Sequence, residues 1–230
     1  MHGSHFVGEV MTVTVADDMT SHDHYIHKAV LEKKSPYFAA LSSFKEGEEN
    51  HVVLQETDET AFKHVVHWLY TDRFSLNFGD SETTMMKTYA LVDRLMMPRC
   101  MNMVIDNLRA KYTHTQARIS DLATVKHLGY SASSNIAKCV IDQIVYEAIT
   151  NIQWSIAEED EAIFLEGGDL ALEFTRKLVE KSRLYSLTGD GKSVWGREDH
   201  MDPATAKGCI YHEHAEGEKC YLQEVQEATK

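Results

Sequence analysis

The chain has 230 residues, 43% hydrophobic and 26% charged, which suits one large or two small soluble globular domains. Its 36 acidic against 23 basic side chains leave a formal net charge of −13, the wrong sign for nucleic acid or an anionic membrane as principal partner. Four cysteines are too few for a disulfide framework, no apolar run is long enough to span a membrane, and the first residues lack the basic and apolar regions of a secretion signal, so an intracellular setting, cytoplasm or nucleus, is expected.

Val10 to Val15 alternates apolar residues with threonine, the pattern of a strand with one buried face. Ala16 to Asp23 reads as a polar turn, and Tyr25-Ile26 can pair back as a second strand. Ala29, Val30 and Leu31, then Tyr37, Phe38 and Leu41, predict two short helices. Ser35-Pro36 separates them: proline suits a first helical turn, and Ser35 stands where a cap is needed. After the polar stretch Lys45 to Asn50, Val52 to Leu54 reads as a third strand. Phe62, Val65, Val66, Leu69 and Tyr70 then form one stripe at helical spacing, with cap residues at Thr57 and Asp58. Ser75 to Phe78 reads as a short edge strand.

Further helices follow. Thr84 to Met97 carries Met85, Tyr89, Val92 and Met96 on one face, and Pro98 opens another helix with Met101, Val104, Ile105, Leu108 and Tyr112. The methionine-rich faces (Met85, Met86, Met96, Met97, Met101 and Met103) suit an adaptable groove, or, on the better reading, core filling. Gln116 to Tyr130 and Ser133 to Ile149 are two more helices, with Gly129 as a C-terminal cap and Ser133 or Ser134 as an N-terminal one. Cys100 and Cys139, inside apolar segments, read as core thiols. An acidic stretch, Ala157 to Gly168, leads to a helix capped by Asp169 and bearing Leu170, Phe174, Leu178 and Val179. Thr188 to Gly208 has the composition of a linker, with Trp195 expected to tuck against the helical region.

No nucleophile elbow, P-loop or dinucleotide fingerprint occurs, and His64 and His67, flanking the Trp68 stripe toward solvent or a partner, lack an orienting group. The expectation is therefore a chain without catalytic residues. Cys209-x2-His212-x-His214-x5-Cys220 offers two thiolates and two imidazoles, the donor set of tetrahedral zinc. Two readings stand: a structural zinc clip, or a disordered or docked acidic tail carrying Glu213, Glu216 and Glu218. No other cofactor is expected.

His27 before the first helix, Ser35-Pro36-Tyr37-Phe38, Phe44-Lys45-Glu46 and Trp68-Leu69-Tyr70-Thr71, in this order and spacing, resemble a BTB/POZ domain, most closely of the fungal type. The likeness runs to about Tyr112 and departs from the family at Asp72, where a glycine is frequent. It implies an α+β fold class, a BTB/POZ-like three-stranded sheet with helical hairpins, followed by an α-helical extension. The expected divisions are 1–113, 114–187 and a linker with a Cys/His-bearing acidic tail at 188–230. His27, Ser35, Pro36, Phe38, Trp68, Leu69 and Tyr70 would define the fold, with His27 bonded to backbone at the strand–helix corner. Phe44 and Glu46 resemble the element through which many such domains dock a cullin-type ubiquitin ligase scaffold. The resemblance thus implies an adaptor or scaffold for protein partners, either a cullin or another BTB chain. The alternative is a self-associating scaffold or transcription-linked regulator, with a homodimer as its working form.

Overall fold

The computed structural model describes residues 8–17, 19–41, 49–74, 79–151, 153–186, 202–215 and 218–228. The chain divides into two compact units, Met1–Val104 and Ile105–Lys230.

The first unit is built on a three-stranded sheet of order β2-β1-β3. Strand β1, Val10–Ala16, pairs antiparallel with β2, Ser21–His27, and parallel with β3, His51–Leu54. The alternation in β1 works as its sequence implies: Met11, Val13 and Val15 are buried, and the residues between them face outward. Met11 stands opposite Ile26, and Val13 and Val15 opposite Val52 and Leu54, so that face is apolar along β1 and β3, while β2 sets His24 and His22 beside Val13 and Val15. Strand β2 is longer than its apolar content suggests. It is an edge strand, and Ser21 to His24 keep extended backbone through ladder bonds to β1 rather than through burial.

The parallel partner β3 is reached through α1, Lys28–Lys34, and α2, Pro36–Leu41, with residues 42–48 of that crossover outside the described set. Helix α3, Glu59–Thr71, buries Ala61, Phe62, Val65, Trp68 and Leu69. Of the two expected caps, Asp58 is the one used: its carboxylate accepts the Ala61 N–H at 3.0 Å. Helix α4, Glu82–Arg94, packs on α3 and is capped by Ser81. Met85, Met86, Met97 and Met101 are buried, so core filling prevails; Met96 alone among the buried run's neighbours stands 58% exposed, at a left-handed turn. Ser75 to Phe78, read as an edge strand, lies outside the described residues.

Helix α5, Pro98–Tyr112, contains the division between the units. In the second unit, α6 spans Ile119–His127, shorter than its periodicity implies, because Asp121 accepts the Arg118 N–H at its start and Gly129, at φ 82°, ends it. Helix α7, Asn135–Thr150, is capped by Ser134 and is largely buried. A 3-10 turn at Glu158–Asp160 and the short α8, Ala162–Glu166, give the acidic stretch local order. Helix α9, Asp169–Ser186, packs on α7. Asp169 lies inside its first turn rather than before it, and its carboxylate accepts the Ala132 N–H at 2.8 Å. Cys100 and Cys139 are fully enclosed, and burial pushes the Cys139 thiol up to about 12, so both are inert protonated thiols. Trp195 lies outside the described residues. The last segment is not all loop: α10, Tyr221–Ala228, closes it. Among the described residues, no helix is long and apolar enough to cross a membrane.

Candidate functional site

The second unit gathers Cys209, His212, His214 and Cys220, whose ligand atoms all lie within 4.8 Å of one another. Local backbone does this. Gly208 takes φ 93°, open to glycine at no steric cost, and the His212 N–H closes a turn onto the Cys209 carbonyl at 3.2 Å. That turn sets the Cys209 and His212 side chains on one side. Cys220 stands immediately before α10, where the Gln223 N–H returns to its carbonyl at 2.9 Å. The His212 ring stacks on Tyr221 at 5.7 Å, and its Nδ1 is 3.3 Å from Cys220 Sγ.

Two sequence-distant helices hold this turn. Asp106 on α5 lies 3.0 Å from His212 Nε2, whose side chain is fully enclosed, and accepts a hydrogen bond from the Tyr221 hydroxyl. Arg109, one turn on, donates to the carbonyls of Pro203, at 3.1 Å, and Ala206, and its guanidinium lies over the Tyr211 ring. Tyr211 is buried, and its hydroxyl donates to Asp142 of α7 at 2.9 Å. Asn135 reaches Glu213. Residues 202–215 are therefore docked by Asp106, Arg109 and Asp142 rather than disordered.

The electrostatics follow from these contacts. Burial works to raise the Asp106 carboxyl, but His212, Tyr221 and Arg109 outweigh it and hold it below the usual carboxylate range. Burial likewise opposes charge on His212, and Asp106 and Cys220 overturn this, raising its pKa. Burial also disfavours the Cys220 thiolate, yet the Leu222 N–H, the Cys209 thiol and His212 together bring it below an ordinary thiol. Cys209, donating to Cys220, is shifted up. The two sulfurs and the imidazole thus sit within reach of one another.

Asp106, Arg109, Tyr211 and Tyr221 were not singled out by the sequence. The one signal was an acid and a base three apart on the polar side of the α5 stripe, a pattern that surface ion pairs share.

In the first unit, the expected fold-defining residues cluster at the corner between β2 and α1. Ser35 is buried, donates to the Leu95 carbonyl at 2.7 Å and accepts the Phe38 N–H at 3.4 Å. Pro36 starts α2, and Phe38 is wholly enclosed. Trp68 gives its indole N–H to Met103 Sδ, with Lys34 over the ring. His27 has a partner that the sequence did not name: its Nδ1 meets the Tyr70 hydroxyl at 2.8 Å, and its backbone N–H donates to the same oxygen. His64 does not face open solvent but lies 3.4 Å from Asp80, and His67 Nδ1 is 3.0 Å from the Arg73 carbonyl. Asp72, the departure from the family pattern, has φ 55° and pairs with Lys34 at 2.7 Å; an aspartate fills the left-handed position that glycine otherwise takes.

A family model for the BTB/POZ domain matches residues 8–112. Residues 8–112 are a BTB/POZ domain. No curated protein matches the chain. The BTB/POZ match takes in every residue of the β2–α1 corner and stops before the Cys/His turn. Phe44 and Glu46 fall within it by number, in the connection between α2 and β3, outside the described residues. Domains of this family are protein–protein interaction modules, and that is the role of this one.

Proposed function

We propose that the chain is an adaptor whose BTB/POZ domain docks a cullin-type ubiquitin ligase scaffold through Phe44 and Glu46, while the helical region after it holds a second protein. The observation that carries the reading is the BTB/POZ match over residues 8–112. The triplet Phe44-Lys45-Glu46 falls within that match by number, between α2 and β3, and resembles the docking element of such domains. An aromatic side chain for a partner pocket beside a rim carboxylate is a chemically sensible contact pair. The histidines of this unit support a non-catalytic role, because His27 and His64 are tied into structural contacts with Tyr70 and Asp80.

The test is a pulldown of purified cullin scaffold with the full chain and with the double variant Phe44→Ala, Glu46→Ala. Loss of capture at an unchanged melting temperature is expected; undiminished capture refutes the assignment.

A second reading, a self-associating scaffold without a ligase role, draws on the outer face of the sheet. Val10, Tyr25 and Val53 are 42%, 71% and 41% exposed there. With Thr12 and Thr14 between them they make a mixed apolar and hydroxyl surface of the kind seen in homodimers. Light scattering during size exclusion separates the two: a dimer dispersed by Tyr25→Glu favours self-association, and a monomer that captures cullin favours the adaptor.

A further inference from the structure

We propose that Cys209, His212, His214 and Cys220 bind one zinc ion as a closed structural site, with His212 coordinating through Nδ1 and held in place by Asp106. This site is independent of the cullin reading.

The argument begins with donor chemistry. Two thiolates and two imidazoles are the set that tetrahedral zinc takes in structural sites, and four protein ligands leave no open position for a water or substrate. The site is therefore assigned a folding role, not a catalytic one.

Geometry supports the same ion. With Zn–S near about 2.3 Å and Zn–N near about 2.0 Å, the ligand atoms of a tetrahedron lie roughly 3.3 to 3.8 Å apart. The His212 Nδ1 to Cys220 Sγ distance, 3.3 Å, already matches one edge. The remaining ligand atoms, all within 4.8 Å, need to close by about 1.5 Å at most. Rotation of the exposed His214 ring accomplishes part of that without moving backbone.

The surroundings of His212 are the independent observation. A metal-ligating histidine holds its other ring nitrogen against a carboxylate, which fixes the tautomer and the ring plane. Here Nδ1 points into the sulfur pair and Nε2 faces the Asp106 carboxylate at 3.0 Å, with the side chain fully enclosed. Asp106 is in turn fixed by Tyr221 and by Arg109 at 3.1 Å. The ligand turn is thus oriented from outside itself, by α5, before any ion arrives. A disordered tail lacks such an arrangement, and a docked one has no need of an imidazole nitrogen aimed at a thiol.

The ion would join the turn at Cys209–His214 to the start of α10 at Cys220. The His212–Tyr221 stack and Asp106 already bring these two pieces together, with residues 216–217 between them outside the described set.

The experiment uses the full chain purified under reducing conditions without chelator. Elemental analysis is expected to give one zinc per chain. Cobalt(II) exchanged for it should show the visible ligand-field bands of a tetrahedral site and a near-ultraviolet thiolate-to-cobalt charge-transfer band. Cys209→Ser should halve that charge-transfer intensity or abolish binding. Because a cysteine variant can fail to fold, His214→Ala, at an exposed position, is the second variant; it should weaken cobalt affinity at least tenfold while far-ultraviolet circular dichroism is unchanged. Asp106→Asn should weaken cobalt affinity about 10-fold to 100-fold with the four-ligand spectrum retained, the signature of a positioning residue. A chain that is folded, carries no zinc and gives no tetrahedral cobalt spectrum on titration overturns the assignment. So does a cobalt spectrum indifferent to both Cys209→Ser and His214→Ala. A cullin pulldown that fails leaves these readouts untouched, so the two proposals stand or fall separately.

Discussion

The two compact units are held together by different physics. The BTB/POZ unit rests on an apolar interior, in which Met11, Val13, Ile26, Phe38, Phe62 and Leu69 are enclosed and polar groups act at the corners. The second unit has an apolar helical centre around Ile136, Val140 and Ile144, but its C-terminal segment is attached by polar side chains, buried at Arg109 and Tyr211 and part-buried at Asp106 and Asp142. Apolar burial is non-directional and tolerates substitution by shape. Polar attachment is directional, and losing one partner leaves the other unsatisfied. The first unit should therefore yield gradually to mutation, and the second should release one segment at a time.

The strongest test removes volume from the first unit. Phe62→Ala deletes a fully enclosed ring and should cost about 3 to 5 kcal/mol, read as a lower urea midpoint. A cost under about 1 kcal/mol would break the contrast, since it would mean that this interior is loosely filled.

Next in size is Arg109→Met, which keeps the stem and removes the guanidinium. It leaves the Pro203 and Ala206 carbonyls without their donor and Asp106 without its cation, a loss of about 2 to 3 kcal/mol. Hydrogen exchange should quicken through residues 202–215 while the amides of α3 keep their protection. Equal quickening in both regions would sink the idea of segmental attachment.

The smallest effect sharpens the comparison from the polar side of the first unit. Burial works to raise the Asp58 carboxyl, but the Ala61 N–H and Lys87 outweigh it and its pKa is lowered. A lowered folded pKa means that the cap contributes its stability above the unfolded value, near about 3.9, and loses it as pH falls through the folded pKa. Asp58→Ala should cost about 1 kcal/mol at neutral pH. The gap from wild type should vanish in acid below that range, as followed by thermal melts at several pH values.

The fold was legible where the signal is local and repeated. The Phe62 to Tyr70 stripe, the alternation of Val10 to Val15, the Ser134 cap and the Gly129 stop are each written within one element. Strand β2 was half hidden, since Ser21 to His24 become extended through their partner strand rather than through their own residues. The bond between His27 and Tyr70 was not visible because the two lie 43 positions apart. The site was legible only as a ligand set. Cys209, His212, His214 and Cys220 could be named from spacing, whereas Asp106 and Arg109 sit 94 or more positions from the groups they hold, and nothing local to α5 marks them. Tyr211 and α10 were absorbed into a tail because acidic neighbours mask their apolar faces.

The central place of β1 has a consequence for how the chain acquires its shape. Its antiparallel partner is a near neighbour in sequence, so a β1–β2 hairpin can form within microseconds of both being free. Its parallel partner β3 lies beyond two helices, and that pairing waits for the loop to close. On the ribosome, β1 therefore carries an open edge, with Val13 and Val15 uncovered, until His51–Leu54 has emerged. That interval is when this protein is most exposed to pairing with the wrong strand, and it ends with the arrival of four residues.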